Sequence, residues 1–504
     1  MNHMMRIRWL TAASILGIGG DLLLRPDPLG LNLFLWTAMA VGTLVVLRSP
    51  SPARWRSPGA LWWLAAALAV LAGTVWRASP LLVLMDLLVT MVLLAVAVSR
   101  LADSGAALPA GGRLLLPAVG HGLRVVLSLG PALFGRGGAA SSPGQDPAGG
   151  EGTRAAIWGI GVGVILAIPL LIVFGLLFSG ADPAFGRFLS DVLDVPWDEV
   201  VRHLFLSWWW AAAAGVFLLA GLVPTRREGS GWRPRLGPVT VSTVLGLVQA
   251  LFLLFVAFQF RVLFGGEAVV RLTEGLTYAE YARQGFFQLV VASALVLPML
   301  YSAGGLLDLR SVRVRRLFAA LVVIQLVLLA VVMASAGRRM ALYVEHYGLT
   351  PDRLYATAFM GWLAVTVAWY AWAVIRNRLP LFEVGALAAG CLMLFGLHAV
   401  NPEGAVVRWN VARAEAGREF DVAHALALSD DAVPALVGSL SVLGWVERCQ
   451  VARGLQQRRA GQRRDWRTGT VARLRARASL ARLDRPPECT EEQQDAPAKG
   501  VIED

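Results

Sequence analysis

Apolar residues fill most of this chain in blocks of about 17 to 25, separated by short polar connections rich in arginine. A helix rising 1.5 Å per residue needs about that length to cross roughly 30 Å of hydrocarbon. Blocks at 8–24, 31–47, 59–76, 80–98, 155–179, 204–223, 238–264, 286–306, 317–335, 354–375 and 382–400 predict about eleven spans. The expected fold is therefore all-α, a polytopic transmembrane helix bundle, followed by a polar tail that carries a small helical unit. Met1 to Arg8 and the apolar run after them have no small-residue cleavage site before Arg25 and Pro26, so they read as the first span.

Composition supports a lipid solvent. With 56% hydrophobic and 16% charged residues, the 504-residue chain holds more apolar surface than a single soluble core can hide. A sequence pI near 10.6 would suggest nucleic acid in a soluble protein. Here the arginines cluster in alternate connections, which is a topological signal. One set holds Arg6, Arg8, Arg48, Arg54, Arg56, the group from Arg100 to Arg154, the group from Arg226 to Arg235, the group from Arg310 to Arg316, and Arg376 and Arg378. That is about twenty bases against about ten in the other set, which places the first set in the cytoplasm. The opposite connections hold Asp182, Asp191, Asp194, Asp198, Glu199, Glu267, Glu274 and Glu280 and are expected to face outward. The N-terminus is then cytoplasmic and the tail extracytoplasmic, at a bacterial inner membrane. Cys391, Cys449 and Cys489 form no disulfide framework, and at most Cys449 and Cys489 pair.

Residues 1–100 form a four-span unit. Residues 101–154 combine an interfacial helix with a linker rich in Gly, Ala, Ser and Pro, and 155–400 form a seven-span body. In the tail, 401–445 read as a helical hairpin, with helices from Pro402 to Ala416 after Asn401 as cap, from Asp421 to Leu428, and from Ser429 or Asp430 onward. Residues 446–504 read as an amphipathic helix with twelve arginines between Arg448 and Arg485, then an acidic end.

Few residues offer chemistry. Asp86 lies about 9 Å inside its span, where a carboxylate needs a partner, a proton or water. Arg261, at comparable depth, is the candidate partner, the alternative being a neutral Asp86 and an arginine that snorkels to the surface. Gln249, Gln259, Gln288 and Gln325 fit interhelical bonding, and Gly159 with Gly163 fit close helix packing. Thr277 and Glu280 form a capping box that predicts a helix starting at Tyr278 and running on into the membrane. It presents Tyr278, Tyr281 and Arg283 at the interface. Thr350, Pro351 and Asp352 start another helix that carries Arg353 and Tyr355, downstream of a connection holding Arg338, Arg339, Glu345 and His346. No metal-ligand spacing, nucleophile motif or P-loop is present, so no metal, no cofactor and no enzymatic activity are expected.

Three stretches carry a family likeness: Thr277 to Phe287; Tyr347-Gly348-Leu349-Thr350 with Arg353 and Tyr355; and Asn401-Pro402-Glu403 with Asn410, Arg413, Asp421 and the run from Leu428 to Leu436. Together they resemble an uncharacterised bacterial multi-pass membrane family, a domain of unknown function of the 4153/4173 type. The likeness covers about 155–440. It implies the class of protein and no chemistry.

All three stretches fall in segments expected to face outward, which makes Tyr278, Glu280, Arg283, Arg353, Tyr355, Asn401 and Asn410 candidate surface residues beside Asp86 and Arg261. The favoured reading is a non-enzymatic envelope scaffold or signalling component, embedded in the bilayer and presenting an outer platform to an envelope protein partner. The alternative is a transporter or channel for a small solute or lipid that uses the intramembrane polar residues.

Overall fold

The structure, a computed structural model, describes residues 28–48, 58–102, 149–193, 236–274, 285–460 and 465–483, with a few positions between Thr11 and Leu24. All regular elements among them are helices. The chain forms two units. The first gathers 1–109, 347–362 and 387–504, the second 110–346 and 363–386.

The first unit contains helices α1 (Leu31–Arg48), α2 (Pro58–Leu71), α3 (Gly73–Trp76) and α4 (Pro80–Ala102). The expected span at 59–76 is thus interrupted at Ala72, after which α3 ends in an extended Arg77. Pro80 then opens α4, where its fixed φ suits a first helical position. Ala67, Val70, Leu82, Leu93, Leu394 and Leu397 bury their apolar faces together. The second unit holds α5 (Gly149–Ala181), α6 (Pro183–Leu193), α7 (Pro238–Glu274), α8 (Phe286–Leu306) and α9 (Val312–Tyr347). Helices α10 (Pro351–Ile375) and α11 (Phe382–Val400) contribute residues to both units.

Six segments among the described residues are long and apolar enough to cross a membrane: Ala156–Ala181, Pro238–Gln259, Phe286–Leu306, Val312–Tyr347, Pro351–Ile375 and Leu379–Val400. Leu31–Val46, Leu61–Trp76 and Pro80–Leu94 are shorter apolar helices. The expected count of eleven therefore falls to six by this measure, partly because 204–223 and most of 8–24 lie outside the described residues. Large apolar side chains such as Ile157, Val327 and Leu392 remain on the helix surfaces, Leu392 being 71% exposed. Such surfaces belong in lipid. The protein is a multi-pass membrane helix bundle.

Two boundaries correct the sequence reading. Helix α9 runs unbroken for 36 residues to Tyr347, so Arg338, Arg339, Glu345 and His346 are helical and not in a connection. No proline interrupts it, and Arg339 is buried with partners. Helix α8 begins at Phe286 after Gly285, whose φ of 77° is left-handed, so a helix starting at Tyr278 does not run straight on into the membrane. Tyr278, Glu280 and Arg283 lie outside the described residues.

Glycines set the closest approaches in the second unit. A Cβ at Gly163 would stand 2.8 Å from the Thr240 carbonyl oxygen, so the expected tight packing at this glycine is against α7. Above it, Phe174, Phe178, Phe252 and Phe255 interlock, with the Phe178 and Phe255 rings stacked at 4.1 Å.

The tail folds around one core to which Val406, Leu436, Val451, Leu455, Ala476 and Leu480 contribute. Its helices are α12 (Pro402–Glu415), α13 (Val422–Ala427), α14 (Val433–Ser439), α15 (Trp445–Ala460) and α16 (Val471–Ala481). The arginine-rich stretch, expected as one helix, is thus two, joined through a 3₁₀ turn at Trp466–Thr468 that Asp465 caps. Both bury small and apolar residues in the shared core. Cys449 is disulfide-bonded and Cys391 is free.

At Gly285, any Cβ would stand 2.1 Å from the Ala181 carbonyl oxygen. Gly285→Ala is expected to destabilise the protein by more than the about 1–2 kcal/mol of the left-handed backbone alone. Gly161→Ala, where nothing lies within 4 Å, should leave stability unchanged or slightly raised. Thermal unfolding of both variants in detergent checks this contrast.

Candidate functional site: a buried polar cluster under the tail

The loop Arg77-Ala78-Ser79 between α3 and α4 is short because Pro80 restarts the helix at once. Its three residues have polar groups that no helix satisfies. Asp431, just before α14, meets this need: one carboxylate oxygen accepts from the amides of Ala78 at 2.6 Å and Ser79 at 3.0 Å. The other accepts from Arg77 Nη1 at 3.3 Å. Arg77 also donates from Nε and Nη2 to the carbonyl oxygen of His398, the former at 2.8 Å. Both charged residues are buried. The pair is stable there because each carries further hydrogen bonds beyond the Coulombic contact.

His398 turns its ring into the same cluster. Its Nε2 lies 3.0 Å from both oxygens of Asp86, which is 1% exposed. Among the described residues the partner of Asp86 is therefore His398. Arg261 lies in α7, and its side chain is outside the described residues. Gly73 makes room for the pair, since a Cβ there would stand 2.4 Å from His398 Nε2 and 2.7 Å from Asp86 Oδ2. His398 Nδ1 is buried with no hydrogen-bond partner among the described residues. The Asp86–His398 pair thus has the form of a base and its orienting carboxylate, with no hydroxyl or thiol bonded on the open side.

Tyr355, from the first turns of α10, is buried and shares a hydrogen bond with Ser79 Oγ at 2.9 Å. Asn401 has a left-handed φ of 55° and caps α12 by accepting from the Gly404 amide at 3.1 Å. Its Nδ2 donates to the Asp431 carbonyl oxygen at 2.9 Å. Glu403 accepts from the Ser429 amide at 2.6 Å. The first residues of the Leu428 to Leu436 motif are therefore tied to the start of α12 at two points.

A second contact ties the tail to the Gly348-Leu349 turn. Asn410 acts as a peptide mimic: its Oδ1 accepts from the Leu349 amide at 2.9 Å and its Nδ2 donates to the Leu349 carbonyl at 2.7 Å. Gly348, with φ of 79°, could not carry a side chain, as Arg413 and Asn410 fill the space. Arg353 donates to the Gly348 carbonyl and lies 6.0 Å from the Tyr347 ring centroid. Burial, with Arg418 and Arg353 nearby, holds the Arg413 guanidinium below its usual range.

Of the residues singled out in the sequence, Asp86, Tyr355 and Asn401 meet in this cluster, while Arg353 and Asn410 meet at the turn. Arg77, His398, Glu403 and Asp431 were missed as a set. Their one sequence signal is that Glu403 and Asp431 fall in the quoted family stretches. In the second unit, Arg339 donates to the Ala181 carbonyl at 2.7 Å and lies 3.6 Å from Asp182, with Gln259 and Ser335 completing a separate buried network. Among the described residues no group of three His, Cys, Asp or Glu is placed to hold a metal ion.

Arg77→Ala would leave Asp431 buried without its cation, an expected loss of about 3–5 kcal/mol. Hydrogen exchange across 402–439 should then speed up. Arg310→Ala, whose exposed pairing with Asp308 contributes at most about 1 kcal/mol, should leave it unchanged.

A family model described as "Domain of unknown function (DUF4153)" matches residues 64–438. The match begins far upstream of residue 155, where the sequence likeness was placed, and takes in both Arg77 and Asp431. No curated protein and no solved structure matches.

Proposed function

The chain belongs to the DUF4153 family of bacterial membrane proteins, and on that premise we propose that it is a non-enzymatic envelope scaffold or signalling component. In this reading the tail is a rigid platform, held on the extracytoplasmic ends of the membrane helices and offered to an envelope protein partner. The observation that carries it is the Arg77–Asp431 clamp with its bonds to His398 and Asn401. A tail built only as a tether would not need two buried charges to fix its position.

The arginine distribution supports the outward placement. The disulfide at Cys449 agrees with it, because disulfides persist in oxidising compartments. A bacterial inner membrane with a cytoplasmic N-terminus follows from the same reading.

A second reading, transport of a small solute or lipid, is favoured by the buried Asp86–His398 pair and its open Nδ1. Intramembrane ionisable pairs often mark ion or proton pathways. Complementation of a deletion strain separates the two. The scaffold reading expects Asp431→Asn to lose function and Asp86→Asn to keep most of it. Transport expects Asp86→Asn to be null. Reporter fusions after Val400 and after Leu101 test the placement, the first being active outside the cytoplasm and the second inside.

A further inference from the structure

The last helix of the tail leaves one face uncovered. On α16 and its C-terminal cap the exposed residues are Leu474, Arg475, Ala478, Ala481 and the cap Arg482, which share one side at helical spacing. Leu474 is 62% exposed, and the neighbouring Trp466 in the 3₁₀ turn is 67% exposed. An apolar, aromatic and basic face of this kind is costly in water and favourable where hydrocarbon meets headgroups.

Three contacts fix its height against the membrane helices. The Arg475 guanidinium lies 6.0 Å from the ring centroid of Trp76, at the end of α3. Trp76 is itself 49% exposed on the side of an apolar helix, so Arg475 stands over a lipid-facing ring. The Leu31 amide, at the start of α1, donates to the Gly469 carbonyl at 3.3 Å. Arg467 donates to the Leu22 carbonyl at 2.8 Å. The stretch from Trp466 to Arg482 is therefore held against the ends of apolar helices, and Arg475 of its open face lies over an exposed ring of one of them.

We propose that the Trp466–Arg482 face is a docking surface for anionic phospholipid, with Leu474 and Trp466 among the acyl chains and Arg475 and Arg482 at the phosphates. The bases select negative headgroups, each contributing about fivefold in preference near a membrane surface. This site does not depend on whether the protein is a scaffold or a transporter.

The test uses the full-length protein in nanodiscs of equimolar phosphatidylglycerol and phosphatidylcholine, with a photoreactive benzoylphenylalanine replacing Leu474. Ultraviolet crosslinking followed by mass spectrometry should find lipid adducts at this position, phosphatidylglycerol exceeding phosphatidylcholine by at least about fivefold. Arg475→Gln with Arg482→Gln should bring the ratio close to one, while hydrogen exchange in 402–439 stays at the wild-type level and shows that the tail remains folded. The same probe replacing Glu419 should give no lipid adduct, and replacing Leu392 it should give one. Absence of lipid at position 474 when position 392 is labelled would overturn the proposal. So would equal yields of the two lipids in the parent chain, or displacement of the lipid by soluble polyphosphate, which would make the face a polyanion site.

Discussion

A buried charge at a membrane boundary must be compensated within a few ångströms, and the Arg77–Asp431 pair meets that requirement by using the backbone as well as the side chains. Asp431 takes two successive amides and one guanidinium, and Arg77 takes the last-turn carbonyl of a membrane helix. The two residues are 354 positions apart in sequence. The α3–α4 loop, the end of α11 and the start of α14 consequently share one set of bonds, so that none can move without exposing an unpaired polar group. That cost, several kcal/mol for a buried ion, is what makes the tail part of the first unit and not an appendage.

The second unit uses the same solution with different residues. Arg339 takes a helix-end carbonyl, at Ala181, and faces a carboxylate, Asp182, that accepts from the amides of Ala184 and Phe185. In both cases the carboxylate caps the backbone where one helix stops and another starts, and the arginine neutralises the carboxylate. Arginine suits the task because its fork serves a carbonyl and a carboxylate at once. Polar residues buried among apolar helices therefore mark junctions here before they mark chemistry.

The sequence makes some of this visible and hides the rest for a physical reason. Caps are local: Asn401 and Asp421 accept from amides three residues on, so residue type and spacing reveal the starts of α12 and α13. Apolar block length likewise gives the starts of the long helices from α7 to α11 within about five residues. The ends that failed are those decided by distant partners. Helix α9 continues through Arg338 and Arg339 because Asp182 receives the charge, and α8 starts late because Gly285 turns against Ala181. Asp86 was legible as a group needing a partner, but nothing periodic links it to His398, 312 residues away.

How completely each buried group is satisfied separates the two halves of the cluster. A residue whose hydrogen-bonding capacity is used by the protein is held in place, whereas a site that must take up and release something keeps capacity in reserve. Asp431, Arg77, Asn401 and Asn410 belong to the first kind, each bonded to backbone on a neighbouring segment. The Asp86–His398 pair is less fully satisfied: among the described residues its two side chains bond to each other, Gly73 leaves room beside them, and Nδ1 has no partner. His398 also joins the halves, since its carbonyl holds Arg77 while its ring holds Asp86. One residue therefore takes part in both the fully satisfied clamp and the less satisfied pair.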